Sequence, residues 1–216
     1  MQQRKEPHDS LDYFPTPAWA TRALCEWMSG EGHLVPGMTV WEPACGEGWM
    51  AKPLAEYFKT VRATDVHDYA VSAQDAVADF LEIGGGKPDP IPNFIITNPP
   101  FRLAQQFARR AFEIADDGVA LLVRSAFLEG KDRYETLFSL NPPTAVLQFV
   151  ERVPMVRGVV DRAASSATAY AWIVWIDGEP GTRLCWLRPC RKRLERDEDY
   201  PSEAIEIEPL NEGLFS

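Results

Sequence analysis

The sequence predicts an α/β protein in which helices cover both faces of a mostly parallel sheet. Strand-like and helix-like stretches alternate through the first two-thirds of the chain. Apolar runs such as Phe94-Ile95-Ile96-Thr97 read as buried strands. The residues that stand out (Glu42, Asp65, Asp79 and Asn98) each follow one of those strands. Sheets of this kind bind ligands at the C-terminal ends of their strands.

The elements follow in order. Asp12 to Gly30 begins as a stiff extended piece and becomes a helix, with Thr16 as N-cap, Pro17 at the first helical position and Gly30 after the end. Met38 to Phe58 reads as strand, glycine-containing turn and helix, with Pro53 ending or kinking the first helical turn. Lys59 to Tyr69 is a second strand ending in acids, and Ala76 to Ile83 a third. Pro92 to Phe101 is the strongest strand, and Phe101 to Ala115 a helix with Leu103, Phe107, Ala111 and Ile114 on one stripe. Gly118 to Leu128 is a buried strand, and Asp132 to Leu140 a short helix. Thr144 to Val150 and Thr168 to Ile176 are strands with no helix between them, which suits an antiparallel pair.

At 216 residues, 45% hydrophobic and 25% charged, the chain suits one globular domain with a substantial core. No apolar run is long enough to cross a bilayer, so no membrane partner is expected. The first ten residues lack an apolar signal segment, and the expected location is the cytoplasm. Cys25 and Cys45 are isolated, and Cys185 and Cys190 lack a second pair or a nearby histidine. Reduced buried thiols are therefore expected, and no metal.

The net charge of -10 argues at first against a nucleic-acid partner. Its distribution weakens the objection. Residues 195–216 hold eight acids and one base, Arg196, so residues 1–194 carry only -3. This divides the chain into a domain over 1–194 and a solvated acidic extension over 195–216, with a short strand at Glu203 to Leu210.

Two stretches carry the chemistry. In Trp41-Glu42-Pro43-Ala44-Cys45-Gly46-Glu47-Gly48, the glycines let backbone approach a ligand closely, although a tight turn explains them equally well. Asp65 can accept hydrogen bonds from two ribose hydroxyls, with Asp68 as competitor; a solvated loop acid is the bland alternative. Asp79 and Phe80 could read an adenine ring, against Phe80 as a core residue. Asn98-Pro99-Pro100-Phe101 is the sharpest signal. The Asn98 carbonyl and the adjacent proline carbonyl form two fixed acceptors for the hydrogens of a planar amine, which becomes nucleophilic. Phe101 offers a stacking face, and the two prolines stiffen the turn. A strand-ending turn alone explains the prolines but not Asn98 and Phe101.

These residues resemble class I S-adenosylmethionine-dependent methyltransferases, and specifically the adenine-N6 DNA methyltransferases with an Asn-Pro-Pro-Phe motif. Glu42 to Gly48 is similar to that family's cofactor loop. Asp12 to Pro17 is similar to the N-terminal element that closes over the cofactor's methionine, and Asp79-Phe80 to the adenine contact. The resemblance covers roughly residues 10–176 in the right order. It implies one Rossmann-like domain with a seven-stranded sheet whose last strand is antiparallel, and S-adenosyl-L-methionine as cofactor. It assigns Phe14, Thr16, Pro17, Glu42, Ala44, Gly46, Gly48, Asp65, Asp79, Phe80 and Asn98 to the cofactor. Asn98, Pro99, Pro100 and Phe101 become catalytic, and Phe101, Arg102, Phe127, Arg152 and Arg157 contact the substrate. Arg162 joins Arg152 and Arg157 as a candidate phosphate contact. Cys45 is not expected to attack a base. DNA is the expected substrate. RNA adenine and protein glutamine are the alternatives, as is a cofactor-binding subunit or scaffold that works with a partner. No separate target-recognition domain is visible, so specificity would come from loops, a specificity subunit or a homodimer.

Overall fold

The computed structural model describes residues 12–82 and 87–201. Its elements are α1 (Ala18–Gly30), β1 (Thr39–Glu42), α2 (Ala51–Leu54), β2 (Thr60–Asp65), β3 (Ala76–Val77), β4 (Phe94–Thr97), α3 (Ala104–Ile114), β5 (Gly118–Arg124), α4 (Lys131–Arg133), β6 (Ala145–Phe149), β7 (Tyr170–Ile176), β8 (Arg183–Leu187) and α5 (Arg191–Leu194). The sheet order is β3-β2-β1-β4-β5-β7-β6-β8. The chain reverses direction across the sheet between β1 and β4, where neighbouring parallel strands leave a crevice beyond their C-terminal ends.

The period-two alternation of side chains sorts the core into two layers. Phe94 and Ile96 of β4 and Leu122 of β5 face a layer with Trp19, Leu24 and Met28 of α1. Ile95 of β4 and Val119 and Leu121 of β5 face the other layer, with Phe107, Ala111 and Ile114 of α3. All four residues of β4 are therefore buried, which is why its sequence reads as an unbroken apolar run. Leu103, expected on the α3 stripe, sits at the N-cap and is 38% exposed.

The antiparallel pair of β6 and β7 is present, with Ala145 opposite Val174. The sheet has eight strands rather than seven, and its antiparallel strand is not the last. β7 inserts between β5 and β6, and β8 then runs parallel to β6 at the edge. β8 leaves Leu184 and Trp186 about 60% exposed, so it lacks the buried apolar run that marks the central strands.

Local expectations shift in three places. Pro17, not Thr16, occupies the N-cap position of α1, and Gly30 is its last residue. Pro53 lies within α2, which lasts only four residues. The acidic segment is anchored in its first part, where a solvated face was expected. Asp199 is buried and accepts bonds from Arg22 Nη1 and Nη2 at 2.6 and 2.7 Å, and Arg22 also pairs with Glu56. Arg196 pairs with Glu56 at 2.9 Å. Arg22 is an attractive anchor because a buried guanidinium must be fully paired. The strand expected at Glu203 to Leu210 lies outside the described residues. Among the described residues, no helix is long and apolar enough to cross a membrane.

Candidate active site

A cavity opens at the C-terminal ends of β1, β2 and β4. Glu42 ends β1, Asp65 ends β2 and Asn98 follows β4, and all three line it. Ala44, Cys45, Trp49 and Met50 contribute from the loop after β1, and Pro100 from the turn after β4. The roof is an N-terminal strap, Asp12 to Thr16.

The strap is tied down by four bonds, none predictable from local sequence. Asp12 Oδ2 accepts from the Phe101 backbone N–H at 2.7 Å. The Tyr13 carbonyl accepts from Gly158 N at 3.0 Å. Asn98 Nδ2 donates to the Phe14 carbonyl at 2.8 Å and to Thr16 Oγ1 at 3.1 Å. The Thr16 hydroxyl thus serves the site rather than capping α1.

Using both bonds of its amide nitrogen fixes the way Asn98 faces. Its Oδ1 is enclosed by protein and has no hydrogen-bond partner among the described residues. A buried carbonyl without a donor is costly unless a ligand supplies one. Glu42 Oε2 is in the same condition. Burial, reinforced by the nearby Asp65 carboxylate, pushes the Glu42 carboxyl well above the usual 4.5. Two unpaired acceptors in one cavity fit a ligand that brings a cationic ammonium and an amine. S-Adenosyl-L-methionine meets this test in part: it would bring the ammonium that Glu42 can pair with, and the donor for Asn98 would have to come from a second ligand.

Asp65 is partly committed to the chain itself. Its Oδ2 accepts from Gly46 N at 2.9 Å and its Oδ1 from His67 N at 3.0 Å, leaving further lone pairs for hydroxyl donors. Gly46 and Gly48 have φ of 52° and 83°. A Cβ on Gly46 would meet the Tyr13 ring at 2.4 Å, and one on Gly48 would meet Ala73 at 2.4 Å. The close approaches these glycines permit are thus to the chain's own residues, and the Tyr13 approach packs the strap onto the loop after β1. Cys45 is buried, and burial pushes its thiol up, away from the thiolate a nucleophile needs.

Asp79 and Phe80 are not among the residues lining the cavity. Asp79 Oδ1 accepts from Leu81 N at 2.9 Å. Phe80 is fully buried between Trp41 and Phe107, with ring centroids 5.3 and 5.0 Å away. Pro17 is also absent from the lining.

Phe101 borders a second recess with Arg102 and Phe127. Its ring packs near Phe14 at 5.2 Å, and the Arg124 guanidinium lies over it at 3.9 Å. Arg152 and Arg157 are exposed on the loop between β6 and β7. Arg162 of the same loop is turned away, bonded to Asp197 at 2.8 Å. The cavity residues that the sequence-based assignment did not name are Asp12, Tyr13, Pro15, Cys45, Trp49, Met50, Val66 and Tyr69. Asp12 and Tyr13 sit inside the strap element that the sequence marks out, whereas Tyr69 has no local signal.

Comparison with family models finds no match, and no curated protein matches the chain. Solved structures do match. A protein provisionally named an RNA methyltransferase, from Pyrococcus horikoshii, is 18% identical with a TM-score of 0.58, covering 81% of this chain and 92% of its own. A modification subunit of a provisionally assigned type I restriction enzyme from Vibrio vulnificus YJ016 is 15% identical with a TM-score of 0.54. That match covers 88% of this chain, which spans half the length of that subunit. A Thermoplasma acidophilum protein follows at 21% identity, TM-score 0.52, covering 75% of this chain and 86% of its own. At these identities the likeness concerns the fold: the chain has a Rossmann-like α/β domain of the kind these structures share.

Proposed function

We propose that the protein is an S-adenosyl-L-methionine-dependent methyltransferase acting on the exocyclic N6 amine of adenine in DNA. The observation that carries this is Asn98: its Oδ1 is buried, unpartnered among the described residues and held in place by two bonds on its other end. A preorganised acceptor of that kind is useful only to a donor such as an amine. When bound, the cofactor supplies an electrophilic methyl group on a sulfonium. Glu42 would hold the ammonium end, and Asp65 would accept from ribose hydroxyls beside it. Asn98 Oδ1 and the Pro99 carbonyl would accept the two amine hydrogens and turn the nitrogen lone pair toward the methyl group. The amine nitrogen would so be placed to take the methyl group, the bonding pair remaining with the sulfur it leaves, and the amine's extra proton would pass to solvent. Phe101 would stack on the base once the exposed Arg124 guanidinium swings off its ring. An adenine inside a duplex cannot enter this cleft, so the base must be flipped or already unpaired. The restriction-type modification subunit among the fold neighbours supports DNA as the substrate, and the RNA methyltransferase name keeps RNA as the second reading.

The test is incubation with methyl-labelled cofactor and separate samples of DNA, RNA and protein. Label on N6 of adenine in DNA is the expected result. Label on RNA alone, or on a glutamine amide alone, would replace the substrate while keeping the Asn98 chemistry.

A further inference from the structure

We propose that the recess beside the Asn98–Phe101 turn is an anion subsite that takes a phosphodiester group of the substrate strand, next to the nucleotide being methylated. This rests on the nucleic-acid reading given above. The recess is lined by Phe101, Phe127, Gln105, Gln106, Arg102, Arg109 and Arg133. Three guanidiniums and two carboxamides meet there, and no carboxylate is among the lining residues.

The charge setting differs from that of the chain's ion-paired arginines. The protein carries -10 overall, and Arg22, Arg110, Arg183, Arg191, Arg193 and Arg196 all pair with carboxylates. Among the described residues, Arg102, Arg109 and Arg133 pair with none. The hydrogen-bond partners of Arg109 and Arg133 are neutral. Arg109 Nη2 donates to the Thr136 carbonyl at 2.8 Å, and Arg133 Nη1 donates to the carbonyls of Phe127 and Glu129. Gln105 Nε2 donates to Thr136 Oγ1 at 2.6 Å. Neutral acceptors orient the guanidiniums without cancelling their charge.

Two further observations point to an incoming acceptor. Arg133 Nε is enclosed and has no partner among the described residues. The first turn of α3, which supplies Gln105, holds no acid and has no side-chain cap, so the positive end of its dipole is uncompensated. Planar guanidiniums with free N–H groups suit the tetrahedral oxygens of a phosphate. Phe101 belongs to both the recess and the amine-binding turn, which places the two subsites one side chain apart. A base on the turn would carry its own or a neighbouring phosphate to the adjoining recess. Free phosphate alone would not need the second subsite.

The experiment uses the full chain with Arg102→Gln, Arg109→Gln and the double variant. Arg133 is left intact because it also holds the backbone of Phe127 and Glu129. The probe is a short labelled single-stranded DNA with one adenine, either unmodified or with a neutral methylphosphonate on one side of that adenine. Anisotropy gives affinity across a salt series, and calorimetry gives cofactor affinity. In the double variant the DNA affinity should fall about 10-fold at low salt. The slope of log K against log salt should flatten by about 0.7 for each phosphate charge no longer neutralised. One methylphosphonate position should weaken the wild type and have little effect on the double variant. Cofactor affinity and melting temperature should not change. Wild-type affinity and salt slope in the double variant would overturn the subsite while leaving the methylation reading intact. A wild type that binds no nucleic acid at all would sink both.

Discussion

Asn98 and Phe14 lie 84 residues apart in sequence, yet the side-chain amide of one donates to the backbone carbonyl of the other at 2.8 Å. This bond joins the turn after β4 to the strap that roofs the cavity. It also decides the orientation of the catalytic candidate, since the nitrogen end is spent on the strap and the oxygen end is left for a ligand.

Asn98→Ala should therefore have two effects. Methyl transfer should drop by about 100-fold or more, as when one preorganised polar group is removed from an active site. The abandoned Phe14 carbonyl should lower stability by about 1–3 kcal/mol. Single-turnover transfer and urea denaturation separate the two. Transfer at the wild-type rate would remove Asn98 from the chemistry.

Glu42 should make cofactor binding pH-dependent. Its carboxyl is raised by burial and by Asp65, so the ligand-free protein keeps this proton as pH climbs past 4.5. A cationic ammonium favours the carboxylate, so binding should release a proton and affinity should rise with pH until the raised value is passed. The ligand-free fold has the opposite slope: a carboxyl raised on folding loses stability as pH rises through that interval. Calorimetry in buffers of different ionisation heat counts the proton. Glu42→Gln should abolish the release; proton release unchanged in that variant would assign it to another group.

Gly46→Ala tests the seat of the strap. The residue has φ of 52°, and its Cβ would lie 2.4 Å from the Tyr13 ring. The backbone component should cost about 1–2 kcal/mol, and the clash should add to it. Adding Tyr13→Ala should recover the clash component only. Thermal melts of the two single variants and the double variant check this, and simple additivity would show that the ring contact is not felt.

Asp199→Ala should destabilise the whole domain. Arg22 is 3% exposed and Asp199 6%, and breaking a buried pair strands the remaining charge. Glu56 stays with Arg22, so the loss should lie near the low end for such pairs, about 3 kcal/mol. Truncation after Arg196 removes the same carboxylate and should cost a similar amount in denaturant unfolding. A truncated chain as stable as the intact one would mean that Glu56 and the Leu194 carbonyl satisfy Arg22 without Asp199.

The layered α/β plan was legible because it is written in local periodicity. Four apolar residues in β4, the Phe107-Ala111-Ile114 stripe of α3 and the polar residues closing each strand reflect burial by two facing layers, which constrains every position along an element. The presence of Glu42, Asp65 and Asn98 at one sheet edge followed from the same logic. The position of β7, the pairing of β8 and the docking of residues 195–201 did not, because strand order and a buried Arg22–Asp199 pair depend on contacts across the whole chain. The roles of Thr16 and Phe80 were also decided in three dimensions. Thr16 had a good local use as a helix cap, but the Asn98 amide required its hydroxyl. Phe80 sat beside an acid in a suggestive order, but the space between Trp41 and Phe107 took its ring into the core. Residue type and spacing state what a side chain is able to do. The partners that tertiary packing brings within hydrogen-bonding distance or van der Waals contact select which of those uses lowers the free energy most.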